Sequence, residues 1–342
     1  MTTLVRSPIE SSLRFSKDVL TIDPASVTQQ ITTTIRQQIL QVLKRRGAVL
    51  GLSGGVDSSV TAALCVQALG KDHVLGLLMP EADSDPQSLE LGQLVAQQLG
   101  IATVGEDIAP ILSALGCYRR RDEAIRQVFP AWTPQCKCKL NLRRQGAYNV
   151  FYLVVQDEQA QQHTLRLPLE AYLGIVAATN FKQRTRKQLE YYHADRLNYA
   201  VVGTPNRLEY DQGFFVKNGD GSADLKPIAH LYKTQVYQLA EYLNVPEAIR
   251  RRPPTTDTYS LAQTQEEFYF ALPYGPMDLC LWALNHGIPP ESVAAELQLS
   301  PDQVRQVYHD IQTKRRTTAY QHRSPLLAQP VQEVETCSAR SL

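Results

Sequence analysis

Between residues 48 and 108, short apolar runs alternate with stretches of helical length. AVLGL (48–52) leads through SGGVDSS (53–59) into SVTAALCVQALG (59–70), HVLGLLMP (73–80) leads into DPQSLELGQLVAQQLG (85–100), and IATVGEDI (101–108) follows. Runs this short and this continuously apolar read as strands buried on both faces. Strand, helix, strand, helix, strand then requires parallel pairing, with the helices as crossovers. The expected architecture is α/β, a doubly wound parallel sheet. Ligands of such sheets bind at the carboxyl ends of the strands, and SGGVDSS lies at the first of those ends.

The rest of the chain elaborates that body. Residues 1–25 are polar and turn-rich and read as an N-terminal arm, and ITTTIRQQILQVLKRRG (31–47) reads as a helix stopping at Gly47. The main domain is expected over 26–320. Inside it, residues 117–169 break the pattern: a basic, irregular stretch up to Gly146 precedes NVFYLVVQDEQAQQHTLRLPL (149–169), which has the alternation of a β-hairpin. We read 117–169 as an insertion. A long helix is predicted through 170–198, then a buried strand in YAVVGTP (199–205), then loops and a helical C-terminal part. The tail, 321–342, is expected to be disordered.

Composition excludes several classes. With 342 residues, 43% hydrophobic and 20% charged, the chain is long enough for one large core with an appendage. A net charge of +1 gives no bulk field toward nucleic acid or anionic membrane. No apolar run reaches the ~18 residues that span a bilayer, and the N-terminus lacks a signal peptide's apolar core. Six cysteines are too few and too irregular for a disulfide framework, so a cytoplasmic protein with reduced thiols is expected. Cys136, Cys138, Cys117 and His163 in the insertion fit structural thiols better than the paired spacing of a zinc site. PPESVAAELQLSPDQVRQVYHDI (289–311) has helix-turn-helix spacing, but two packed helices with Ser300 capping the second explain it without a basic footprint.

The turn itself suits an anion. Backbone N–H groups between a strand and a helix N-terminus form a phosphate cradle. Gly54 and Gly55 let the main chain approach closely, Ser53, Ser58 and Ser59 offer hydroxyls, and Asp57 offers a carboxylate to a hard cation. The lysine of a Walker A loop and the G-x-G-x-x-G fingerprint are both missing.

Ser53-Gly54-Gly55-Val56-Asp57-Ser58 resembles the pyrophosphate loop of ATP pyrophosphatases. NFKQRTR (180–186), VVGTPNRLE (201–209), GFFVKNGDGSADLKPIAHLYKTQV (213–236) and RRPPTTD (251–257) follow in the order seen in NAD synthetases. The chain is therefore similar to that family over about residues 35–112 and 172–320. The resemblance implies an adenine nucleotide alpha hydrolase-like fold and an ATP-dependent, amide-forming ligase. It would adenylate the carboxylate of deamido-NAD and transfer ammonia to give NAD, AMP and pyrophosphate. By the same resemblance Gly51, Ser53, Gly54, Gly55, Asp57, Ser58, Thr204, Lys233 and Thr255 hold ATP, with Asp57 and Lys233 catalytic. Asp57 and Glu209 bind magnesium, while Arg184, Lys217, Asp224 and Lys314 meet the acceptor. A homodimer is implied too.

Three departures from the family pattern lie on the acceptor side. Pro205 and Leu208 stand where the family reads Gly and Ser, and Thr313-Lys314 stands where it often has His-Lys. They keep open a paralogue acting on a different carboxylate; retention of Asp57, Glu209 and Lys233 argues against a silent nucleotide-binding protein. With no glutaminase-like segment ahead of the body, the expected nitrogen source is free ammonia or a separate glutaminase.

Overall fold

The computed structural model describes residues 15–145, 148–255, 258–265, 269–270, 272–329 and 331. Four parallel strands form the central sheet: β1 (Ala48–Gly51), β2 (Val74–Leu78), β3 (Ala102–Gly105) and β7 (Ala200–Val201), in the order β3-β2-β1-β7. Val49 pairs with Leu75 on one side and Val201 on the other, so β1 is central. Its side chains alternate between two cores. Ala48 and Leu50 face helices α1 (Pro24–Gln37), α2 (Val56–Leu69) and α8 (Lys233–Tyr242), whereas Val49 faces α4 (Ala109–Ala114) and α6 (Leu169–Leu197). Burial on both faces is why these strands are continuously apolar.

Local signals set the crossovers. Asp85 caps α3 (Pro86–Leu99) by accepting from the Gln87 N–H at 3.0 Å, Pro86 opens it, and Gly100 closes it at φ +65°. Helix α6 has 29 residues and extends about 43 Å. Its Glu190 end lies against Gly51 at the carboxyl end of β1. Its first turns project beyond the sheet edge and carry the insertion.

That insertion is more regular than its composition suggests. Helix α5 (Cys117–Arg126) packs on α6, and β4 (Lys137–Gln145), β5 (Tyr148–Gln156) and β6 (Gln162–Arg166) form an antiparallel sheet in that order. β5 and β6 are the expected hairpin. The basic stretch ahead of it becomes β4 because Cys138 and Leu140 alternate with lysines and bury against Leu153, Val155, Ala171 and Ile175 in a third core. A fourth core joins α10 (Tyr274–Asn285), α11 (Pro290–Leu297) and α12 (Pro301–Thr318). Ser300 and Gln303 form the capping box of α12, and Val304, Val307 and Ile311 are buried, which is the two-packed-helices reading.

Within the stretch read as an arm, Leu20 is buried in that fourth core and the Ile22 N–H donates to Gln238 Oε1 at 3.1 Å. The expected disordered tail lies outside the described residues from 332 onward. Among the described residues no helix is long and apolar enough to cross a membrane.

Candidate active site

The turn after β1 is held by close packing and by its own hydroxyls. Gly54 has φ +70°, and a Cβ there would lie 2.6 Å from the Ser88 carbonyl and 2.9 Å from Leu91 Cβ. Only glycine gives both the left-handed backbone and the approach to α3. Ser53 Oγ accepts from the Gly55 N–H at 3.3 Å and lies 3.1 Å from Ser58 Oγ. Ser58 and Ser59 hydroxyls both donate to the Gly55 carbonyl. α2 starts at Val56, so its N-terminal N–H groups and its positive dipole end open at the same place.

Asp57, in the first turn of α2, forms an ion pair with Lys233, the first residue of α8. Lys233 is fully buried. Burial works against its charge, but Asp57 and Glu209 outweigh that and hold its pKa above the ordinary lysine value. Asp278 occupies the N-terminus of α8: its carboxylate accepts from the Lys233 N–H at 3.3 Å and the Thr234 N–H at 2.7 Å. Burial pushes Asp278 up to about 7 despite those bonds.

Asn206 links the two sides of the site. Its Nδ2 donates to Asp57 Oδ1 at 3.2 Å, and its Oδ1 accepts from the Leu208 and Glu209 N–H groups, capping α7 (Arg207–Gln212). Glu209 completes the box by accepting from the Asn206 N–H at 3.2 Å. Asn206 thus bonds to both carboxylates, and burial together with the charge of Asp57 raises Glu209 to about 8. Leu208 is buried in the helical core, which accounts for an apolar residue at that position. The loop around Pro205 keeps its backbone bonds, Gly203 N–H to Leu225 O and Arg207 N–H to Leu231 O.

These groups open onto one cavity of about 820 Å³. Of the residues singled out in the sequence, Gly51, Ser53, Gly54, Gly55, Asp57, Ser58, Thr204, Glu209, Lys233, Thr255 and Lys314 line it. Lys314 Nζ lies 2.7 Å from Asp310 and donates to the Tyr269 carbonyl at 2.5 Å; burial lowers its pKa. Arg184, Lys217 and Asp224 stand away from the wall. Arg184 Nε donates to the Lys217 carbonyl at 3.3 Å, while Lys217 Nζ donates to the carbonyls of Tyr320 and Arg323. Asp224 accepts from the Val201 N–H at 2.7 Å and from the Tyr191 hydroxyl at 3.3 Å.

Several wall residues carry no sequence signal of their own. Arg252 reaches Ser88 Oγ and Asp85 behind the turn, and Arg186 donates to the Met79 carbonyl. Lys187 and Glu190 are paired at 2.5 Å. Arg252 lies within RRPPTTD and Asn206 within VVGTPNRLE, so the motifs marked the segments without marking these roles.

Farther along α6, Lys182 is buried between Glu81 at 2.9 Å, Asp83 at 2.7 Å and the Thr258 carbonyl at 2.7 Å. Arg121 of α5 meets Asp83 from the other side at 2.5 Å. Two carboxylates and two cations thus join the insertion, the loop after β2 and the segment after Thr255. Buried charges persist only when compensated in this way.

The donor chemistry is compatible with magnesium: Asp57 and Glu209 offer carboxylate oxygens, the hard donors that ion takes. Among the described residues no group of three or more acidic, His or Cys side chains is placed to hold a metal. Magnesium characteristically takes one or two carboxylates and completes its shell with water and substrate phosphate.

The family model described as NAD synthase matches residues 27–132 and 146–323. The NH(3)-dependent NAD(+) synthetase of Rhizobium meliloti (strain 1021) is 59% identical over 331 residues, covering 96% of this chain and 99% of the relative. The protein of the same name from Thermotoga neapolitana is 37% identical, covering 75% of this chain and 86% of its own length. Among solved structures, NMN synthetase from Francisella tularensis aligns with a TM-score of 0.63 at 22% identity, covering 90% of this chain and 99% of that one. NH3-dependent NAD synthetase from Campylobacter jejuni aligns with a TM-score of 0.59 at 23% identity, covering 90% and 100%. The structural matches speak for the fold alone. With its family model matched over most of its length and a curated relative sharing 59% of its residues, the chain belongs to the NAD synthase family.

Proposed function

We propose that this chain converts deamido-NAD, ATP and ammonia into NAD, AMP and pyrophosphate. The observation that carries the reading is the convergence of the SGGVDSS turn, Asp57, Glu209 and Lys233 on one cavity, in a chain whose close relatives are ammonia-dependent NAD synthetases.

The chemistry asks one anion to attack another. A carboxylate oxygen forms a bond to the α phosphorus, and the bond from that phosphorus to the oxygen bridging to the β phosphate breaks, releasing pyrophosphate. The turn's N–H groups and the α2 N-terminus hold the phosphates, and Lys233 neutralises charge on the departing side. Magnesium, held by Asp57 and Glu209, supplies further charge neutralisation and aligns the phosphates when bound. Thr204 and Thr255 position the nucleotide, and Arg252 holds the start of α3, against which Gly54 packs. Ammonia then attacks the acyl carbon, the carbon–oxygen bond to AMP breaks, and the nitrogen loses a proton. Leu142, Phe151 and Tyr172 line the cavity on the insertion side, and such apolar walls would limit water's access to the mixed anhydride.

Lys314, on the cavity wall, is assigned to the acceptor by family resemblance. Arg184, Lys217 and Asp224, which stand off the cavity wall, are assigned by family resemblance to the parts of a dinucleotide that would extend past the cavity's rim. A homodimer, by family resemblance, brings a second copy to that rim. Purified protein with ATP, magnesium, ammonium and deamido-NAD is expected to yield NAD and AMP in equal amounts. AMP formed only with a different carboxylate would replace the acceptor, and full turnover on glutamine alone would overturn the nitrogen source.

A further inference from the structure

The family model passes over residues 133–145, the segment that contains all of β4. That strand nevertheless bonds directly to the segment that closes the catalytic cavity. The Cys138 N–H donates to Ser260 Oγ at 2.9 Å, and the Leu261 N–H returns a bond to the Cys138 carbonyl at 3.0 Å. Gln263 Nε2, on a residue only 4% exposed, donates to the Leu140 carbonyl at 2.5 Å. Tyr259 buries in the same core as Cys138 and Leu140.

The segment then turns back on itself. Thr264 bridges antiparallel to Thr255, and the Gln265 N–H donates to the Pro254 carbonyl at 3.1 Å. Gln265, two residues past β4's last contact, lines the cavity. Gln265 Nε2 donates to Glu209 Oε1 at 3.1 Å, and its Oε1 accepts from the Tyr274 hydroxyl at 2.6 Å. With both ends of that amide engaged, Glu209 is offered a donor from one fixed direction, while the Asn206 N–H holds its other oxygen.

We propose that β4, which the family model leaves unmatched, is a positioning device for the metal ligand: it seats residues 258–265 so that Gln265 aims Glu209 at the site. Gln263 and Gln265 are thus positioning residues, the first acting through the second. The inference rests on Glu209 as a magnesium ligand. Carboxylates that ligate metals depend on their outer hydrogen bonds, whose loss costs about 10- to 100-fold in metal affinity.

The test titrates magnesium into the full chain with α,β-methylene ATP, followed by calorimetry, alongside turnover at graded magnesium. Gln265→Ala and Gln263→Ala are each expected to weaken magnesium binding about 10-fold or more, with turnover recovering at saturating magnesium. The double variant Gln263→Ala/Gln265→Ala is expected to bind no more weakly than Gln265→Ala, because the two residues act in series. Independent, additive losses overturn the inference, as does a lowered melting temperature with unchanged magnesium affinity. Should Gln263→Ala not fold, Ser260→Ala removes a single bond to β4 and carries the same expectation. Glu209→Gln separates the two layers. If it leaves magnesium binding unchanged, the ligand assignment fails and the inference with it; if it weakens binding while the glutamine variants do not, the inference alone fails.

Discussion

Asp57 holds two jobs at one carboxylate. In this structure it neutralises buried Lys233, and in the proposed reaction it meets magnesium. Asp57→Asn is expected to cut pyrophosphate release by at least about 100-fold. Losing the carboxylate paired with buried Lys233 should lower the unfolding midpoint while the circular dichroism stays that of the folded chain; wild-type turnover would remove Asp57 from the mechanism. Asp278 titrates differently. Its carboxyl ionises near 3.8 when unfolded but only near 7 when buried. Between those values the folded chain binds a proton that the unfolded chain has released, so this group's stabilising contribution is lost as pH rises from about 4 to about 7. Denaturation midpoints measured across that window should fall less steeply in Asp278→Asn than in the parent.

At the level of elements, the phosphate turn and helix α3 form one unit. Gly54 and Gly100 both have φ near +70°, at +70° and +65°, yet their surroundings differ. A Cβ at Gly100 meets nothing closer than Lys71 Cδ at 3.4 Å, while at Gly54 it meets the Ser88 carbonyl at 2.6 Å. Gly100→Ala should cost about 1–2 kcal/mol from backbone conformation alone. Gly54→Ala should cost more in urea unfolding and should also weaken ATP binding, because the turn must move. The turn was legible in sequence for the same reason it works: two glycines and three hydroxyls between a buried strand and a helix. β4 was not. Its lysines hide the alternation of Cys138 and Leu140, and besides β5 it bonds to Ser260 and Gln263, 120 residues or more away in sequence. Asn206 and Arg252 were hidden in another way, since capping and bracing become roles only when Asp57 and Ser88 arrive beside them. Long-range placement of Lys217 against Tyr320 and Arg323 was equally beyond motif reading.

The whole molecule is joined by charge as well as by apolar packing. Lys182 and Arg121 tie the insertion to the body through Glu81 and Asp83. Lys182→Met keeps the bulk and leaves Glu81 and Asp83 short of a buried cation, so it should destabilise by about 3–5 kcal/mol. A shift of the denaturant midpoint near zero would mean that Arg121 alone compensates both carboxylates.

The four cores have one further property in common. Cys65 lies in the core on one face of the sheet, Cys117 in the core on the other, Cys138 in the insertion and Cys280 among the C-terminal helices. Burial drives these thiols up, Cys117 to about 11 and the other three to about 12, so they are unreactive while their cores stay closed. Each core therefore holds its own clock. Timed alkylation followed by peptide mapping would record how often each region opens, and whether ATP slows the insertion's clock along with the sheet's.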